Sequence, residues 1–186
     1  MSVLLTSAGL ETEAITKYFK SQFNKEMAFV KALFIPTAAI NAGAIDVLPK
    51  CMNDLLKCGI QDENIKVFDL HKGMEIDELK HYDVVYLCGG TTRYLLERIN
   101  ATNFNQSLMA YINLNGFVVG VSAGSLIFAN QIEGNLGLID TKLEVHCEVG
   151  EKTGKLEKPL KEKIRLTNTS ALVIENVSDE LKIIGG

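Results

Sequence analysis

Ser122 stands in the pentapeptide Gly120-Val121-Ser122-Ala123-Gly124, after the apolar run Phe117 to Val121 and before a stretch of small and apolar residues. A strand that ends in Gly-x-Ser-x-Gly and turns directly into a helix is a nucleophile elbow. The serine there takes a strained backbone conformation, and glycine is needed beside it because a side chain would clash. The helix N-terminus behind the serine presents free N–H groups and a dipole that favour the negative charge of a tetrahedral intermediate. A Gly/Ser-rich turn that merely packs a helix on a sheet has the same composition. The strand before it and the helical stretch after it favour the chemical reading.

A second glycine turn, Cys88-Gly89-Gly90-Thr91-Thr92, also ends an apolar run and opens a helical one. Adjacent glycines let the backbone approach a ligand closely, and their N–H groups can form an anion-binding concavity. With the Ala123 amide, Gly89 or Gly90 could complete an oxyanion hole, with Thr91 beside it. The plainer reading is a tight turn before a helix cap. Serine also needs a neighbouring base to take its proton. Only His71, His81 and His146 are available. His81 precedes a strand and so falls at the far end of the sheet, whereas His71 follows one. His146 comes after the elbow helix and is the first choice.

Elements that could position these groups follow a regular rhythm. Apolar runs at Val3 to Thr6, Phe29 to Ile35, Ile65 to Leu70, Asp83 to Leu87 and Phe117 to Val121 alternate with helix-period segments. That alternation is the signature of βαβ units and a parallel sheet. Ile15, Tyr18, Phe19 and Phe23 mark one helix face; Ile45, Leu48, Met52, Leu55 and Leu56 mark another, which Pro49 should bend or delay. Leu95, Leu96 and Ile99 lie on a helix after the second glycine turn, capped by Thr91 or Thr92, and another helix covers Phe104 to Leu114. Beyond about residue 131 the rhythm weakens. Strands are expected at Leu143 to Cys147, Ala171 to Glu175 and Leu181 to Ile184, and an exposed loop plus a helix over Glu148 to Lys163. One α/β domain, a doubly wound and mostly parallel sheet with helices on both faces, is the expected architecture over residues 1–186. Open sheets of this kind place their sites at the carboxyl ends of the strands, where the Ser122 turn falls.

The bulk numbers fit that architecture and narrow the partners. The 186 residues are 47% hydrophobic and 23% charged, with a formal net charge of −4. This is ordinary globular composition, and its mild acidity argues against nucleic acid or an anionic membrane as partner. No apolar run approaches the roughly 18 to 20 residues that a membrane span requires. The first residues lack the positive region of a signal peptide, and Cys51, Cys58, Cys88 and Cys147 share no metal-ligand spacing. Reduced thiols and a cytoplasmic location are therefore expected, with no metal or organic cofactor.

Several segments together resemble the peptidase E family of serine peptidases, which also has cyanophycinase-like members. They are Phe34-Ile35-Pro36-Thr37-Ala38, Cys88-Gly89-Gly90-Thr91, Gly120-Val121-Ser122-Ala123-Gly124-Ser125, and Leu136-Gly137-Leu138-Ile139-Asp140 followed by His146. The resemblance spans nearly the whole chain. It implies a fold like the class I glutamine amidotransferases, of flavodoxin-like type, with serine in place of cysteine. It also implies a Ser-His-acid triad and hydrolysis of short peptides, in the type enzymes those with an N-terminal Asp. It allows a homodimer without arguing for one. An esterase, a hydrolase of another amide, or a catalytically weak member acting as a binding or regulatory module are the alternatives.

In that family the acid of the triad lies between serine and histidine. The interval here is short, and no acidic residue aligns cleanly. Glu133, beside Gly134, is the first choice, Asp140 the second and Asn130 the third, since asparagine can also orient a histidine. The resemblance further implies an arginine after the histidine that selects Asp substrates. Counting forward without gaps, Leu160 occupies its place, with Lys158, Lys161 and Lys163 nearby as point charges lacking Arg's bidentate fork.

Overall fold

The β-branched and aromatic runs identified above form the centre of a sheet. The computed structural model describes residues 2–157, 159–175 and 180–185. In chain order the elements are β1 (Ser2–Thr6), α1 (Glu13–Lys20), β2 (Ala32–Ile35), α2 (Ala42–Asp46), α3 (Leu48–Lys57), β3 (Ile65–Val67), α4 (Ile76–Leu79), β4 (Val84–Leu87), α5 (Thr92–Ala101), α6 (Phe104–Asn113), β5 (Phe117–Val121), α7 (Ala123–Leu126), β6 (Lys142–Glu144), β7 (Gly154–Lys155), β8 (Lys163–Arg165), β9 (Ser170–Glu175) and β10 (Glu180–Gly185).

Eight strands make one sheet in the order β3-β2-β4-β5-β1-β9-β10-β7, and β6 pairs with β8 in a separate parallel ribbon. The five strands from β3 to β1 run parallel, and β9, β10 and β7 extend the sheet antiparallel. Both faces are covered. Val3 and Leu5 point into a core with α5, α6 and α7, while Leu4 points into a second core with α1 and α3. A strand covered on both sides must be apolar at every position, and β1, β2, β4 and β5 are buried almost throughout. Among the described residues, no helix is long and apolar enough to cross a membrane.

Several expectations change in detail. Residues Met27–Phe29 form a short 3-10 turn, so β2 starts only at Ala32, and β3 stops at Val67. Pro49 acts as the sequence implied: α2 ends at Asp46, Val47 intervenes, and the proline lies in the first turn of α3, where its missing N–H costs no helical bond. The helix expected within 148–163 is not found among the described residues. That stretch is extended, with the short β7 on the sheet edge against β10. Gly150, Gly154 and Pro159 disfavour a helix there, and Gly154 has a φ of 135° that side chains rarely adopt.

Register carries the site. Gly120 of β5 lies opposite Leu5 of β1 on one side and Leu87 of β4 on the other. The residue after β5 therefore emerges between the turn that follows β4 and the Ser7-Ala8 segment that follows β1. Ser125 clasps this point. Its buried Oγ accepts the Thr6 amide at 3.0 Å, and its proton faces both Thr6 O and Gly120 O at 2.8 Å. Replacing it by alanine strands the buried Thr6 amide, so Ser125→Ala is expected to lower unfolding free energy by about 1–3 kcal/mol. Urea unfolding of the two proteins checks this; an unchanged midpoint would show that the clasp contributes nothing.

Candidate active site

Ser122 has φ 49° and ψ −109°, a conformation that non-glycine residues avoid. Such strain persists only where the surroundings hold it, at about 1–3 kcal/mol. Here the Ser122 amide donates to Thr6 O at 2.9 Å, and its carbonyl accepts from Ser125 N at 2.8 Å and Leu126 N at 3.0 Å. The flanking glycines are explained by contact. A Cβ on Gly120 would lie 2.4 Å from Gly124 O, and one on Gly124 would lie 2.3 Å from Leu87 O. Backbone cannot give way as a flexible side chain can. The helix behind the serine is a single turn, Ala123–Leu126, so the Ala123 amide matters more there than a long-helix dipole.

The second glycine turn lies against the serine. A Cβ on Gly89 would sit 3.2 Å from Ser122 Cβ, and Gly90, at φ 140°, passes so close to Ala38 that a Cβ would be 2.1 Å from its carbonyl oxygen. Thr91 N donates to that same oxygen at 2.7 Å, which pins the turn. Thr91 is the N-cap residue of α5, but its side chain makes no capping bond. Gly89 and Gly90 line the same cavity as Ser122, and Ala123 follows the serine directly in the chain.

His146 Nε2 lies 3.0 Å from Ser122 Oγ, and its Nδ1 lies 2.7 Å from Asn168 Oδ1. The imidazole is held from its backbone. Its φ is 59°, its amide donates to Ser7 Oγ at 3.1 Å, and Ser7 Oγ in turn donates to Leu166 O at 3.1 Å. The next amide, Cys147 N, also donates to Leu166 O, at 3.0 Å. Asn168 sits on the turn entering β9, tied by Thr167 N to Ser170 Oγ at 2.9 Å. Because β9 runs antiparallel to β1, its entrance falls at the same sheet edge as Ser122.

The residues proposed as third member lie elsewhere. Glu133 is on an exposed turn, and Asn130 Nδ2 donates to Asp140 Oδ1 at 2.9 Å. Among the described residues, Asn168 is the partner of His146 Nδ1, in the place given to Glu133 from sequence. His71 pairs with Asp69 at 3.1 Å and His81 Nδ1 with Glu78 O at 3.1 Å, both apart from Ser122. Leu160 and Lys161 line a different cavity of about 550 Å³ with Glu151 and Arg165. Lys161 pairs with Glu151 and Lys163 with Glu144; Lys158 lies outside the described residues.

A cavity of about 390 Å³ opens over Ser122, Gly89, Gly90 and His146. Its remaining wall comes from Ser7, Ala8, Asn41, Ala44, Val47, Lys50, Cys51 and Val121, which sequence reading did not single out. Behind it Tyr86 OH and Leu10 N both donate to Asp54 Oδ2, at 3.1 and 2.9 Å. The Cys88 thiol lowers the Cys51 pKa by hydrogen bonding, while burial pushes Cys88 and Tyr86 well above their ordinary ranges. All four thiols are free.

Comparison with known proteins bears on the family and the fold. The sequence pattern of Peptidase family S51 matches residues 3–143, a segment that holds the five parallel strands, the Gly89-Gly90 turn and Ser122 and ends just short of His146. No curated protein sequence matches the chain. Among solved structures, a Listeria monocytogenes EGD-e protein assigned to peptidase E superposes with a TM-score of 0.75 at 17% identity, covering 98% of this chain and 96% of that one. A peptidase from an acI-B1 Actinobacterium gives 0.71 at 18% identity, over 100% of this chain and 87% of that one. These two likenesses support the fold, a mixed, mostly parallel sheet with helices.

The neutral contact at Nδ1 has an electrostatic consequence. A carboxylate in place of the Asn168 amide would favour the charged imidazolium. In Asn168→Asp, the NMR titration midpoint of the His146 ring is therefore expected to move upward relative to the unaltered protein. An unchanged midpoint would show that Asn168 does not face the ring.

Proposed function

We propose that this chain, which belongs to peptidase family S51, a family of serine-type peptidases, hydrolyses short peptides through an acyl-enzyme on Ser122. The observation that carries the reading is the 3.0 Å contact between His146 Nε2 and the Oγ of a serine held at φ 49°. A hydroxyl alone is a weak nucleophile, and a base within hydrogen-bond reach is what activates it.

In the proposed cycle His146 Nε2 accepts the Ser122 proton as Oγ attacks the peptide carbonyl. The resulting oxyanion is held by amides drawn from Gly89, Gly90 and Ala123. His146 then returns the proton to the departing amine, and the C–N bond breaks to leave an ester on Ser122. Water, deprotonated by the same Nε2, attacks that ester; its C–O bond breaks, the acid leaves, and His146 returns the proton to Ser122 Oγ. Asn168 acts through His146 as a positioning residue. Its Oδ1 accepts a hydrogen bond from Nδ1–H, which keeps Nε2 in the acceptor form the first step needs. Being neutral, Asn168 orients the ring without the charge stabilisation a carboxylate adds to the imidazolium.

A fluorophosphonate probe tests this directly, since it phosphonylates an activated serine far faster than an ordinary hydroxyl. Labelling at Ser122 is expected, absent in Ser122→Ala and reduced about 10²-fold or more in His146→Ala, in line with the loss of a positioned general base. Equal labelling rates in His146→Ala would contradict the base assignment. Absence of labelling in the unaltered protein between pH 6 and 9 would contradict the nucleophile.

A further inference from the structure

Resting on the hydrolase reading above, we propose that the cavity over Ser122 takes an uncharged apolar side chain, on the acyl side of the scissile bond, and rejects Asp. The cavity surface offers the argument. Its walls are Ala8 from the segment after β1, Ala44 and Val47 from α2 and the turn after it, and Cys51 and Val121 at the base. Cys51 and Val121 are 5% and 4% exposed, so the deepest part of the space is apolar. Its volume of about 390 Å³ suits a small ligand or one end of a short peptide.

Among the described residues, Lys50 is the one side chain with a permanent charge that lines this space. Its ammonium is already engaged, donating to Ala8 O at 3.2 Å and paired with the Glu11 carboxylate. The pair is neutral as a unit, so the rim has no uncompensated cation for a substrate carboxylate. At the base, Asp54 from behind and Lys50 from the rim act on Cys51 with opposite sign. A carboxylate entering there would lose water and find, among the described lining residues, no cation but the one that Glu11 already pairs. An aliphatic side chain would instead cover Val47, Ala44 and Cys51. This inverts the preference that the family likeness alone would suggest, and it agrees with Leu160 and Lys161 lining a separate cavity.

The assignment makes Val47 and the Lys50–Glu11 pair specificity determinants. Val47 is 45% exposed at the rim, where a longer polar side chain has room. The test is a panel of Ala-, Leu-, Met- and Asp-p-nitroanilides with the unaltered chain, Val47→Arg and Glu11→Gln, each also treated with the fluorophosphonate. In the unaltered chain kcat/KM for Leu or Met should exceed that for Asp by about 10²-fold, the scale on which an unmatched polar group is rejected. Arginine at 47 adds an unpaired guanidinium, and Glu11→Gln releases Lys50; each should cut that ratio at least about tenfold.

Asp cleaved as well as Leu by the unaltered chain overturns the proposal. So does a ratio unmoved in both variants that still label at Ser122. Labelling with no cleavage of any panel member also overturns it, leaving the nucleophile intact. Absent labelling in the unaltered chain removes the hydrolase reading and this inference with it.

Discussion

Everything at the site depends on how tightly backbone is packed where β5 ends. Gly120 and Gly124 leave no space for a Cβ, because each lies against a main-chain carbonyl of the facing segment. The chain must therefore reverse within Val121-Ser122-Ala123, and the left-handed φ of Ser122 is the consequence. Two backbone bonds to the Ser122 carbonyl, one from its amide and the Ser125 clasp offset the strain.

The same edge of the sheet gathers the other parts. Register places the β4 turn on one side of Ser122 and the Ser7-Ala8 segment on the other. Ser7 is more than filler: its hydroxyl links the His146 amide to Leu166 O, so the segment after β1 sets the height of the imidazole. The antiparallel return of β9 beside β1 then brings Asn168 under Nδ1. The site is built from several loops on one rigid frame, at the end of the sheet where α/β folds usually place their sites.

How much of this could be read in advance varied with the range of the constraint. Ser122, Gly89 and Gly90 were visible because a close approach of backbone to backbone admits glycine and little else, a local demand that leaves a local mark. His146 stood out by scarcity, as one of three histidines. Asn168 left no such mark. It sits in Thr167-Asn168-Thr169-Ser170, an ordinary polar turn before an apolar run, and only the direction of β9 gives it a role. Glu133, Asp140 and Asn130 are the candidates that lie between Ser122 and His146 in the chain, and the last two bond to each other. The helix expected within 148–163 failed for a related reason: charged composition suggested a solvated helix, while two glycines and a sheet edge favoured extended chain. The cavity wall was hidden too, since Ala44, Val47 and Cys51 look like any helix residues until α2 and α3 are placed.

The central claim is that Ser122, not another nucleophile in the cavity, carries the acyl group. Among the described residues, Cys51 is the thiol that lines the same space. Rapid acid quenching during turnover of an activated aminoacyl ester, followed by peptide mass spectrometry, distinguishes the two. The account predicts an acyl adduct on the Ser122 peptide that forms in a burst approaching one per chain and is lost in Ser122→Ala. An adduct on Cys51, or turnover that persists in Ser122→Ala, would contradict it.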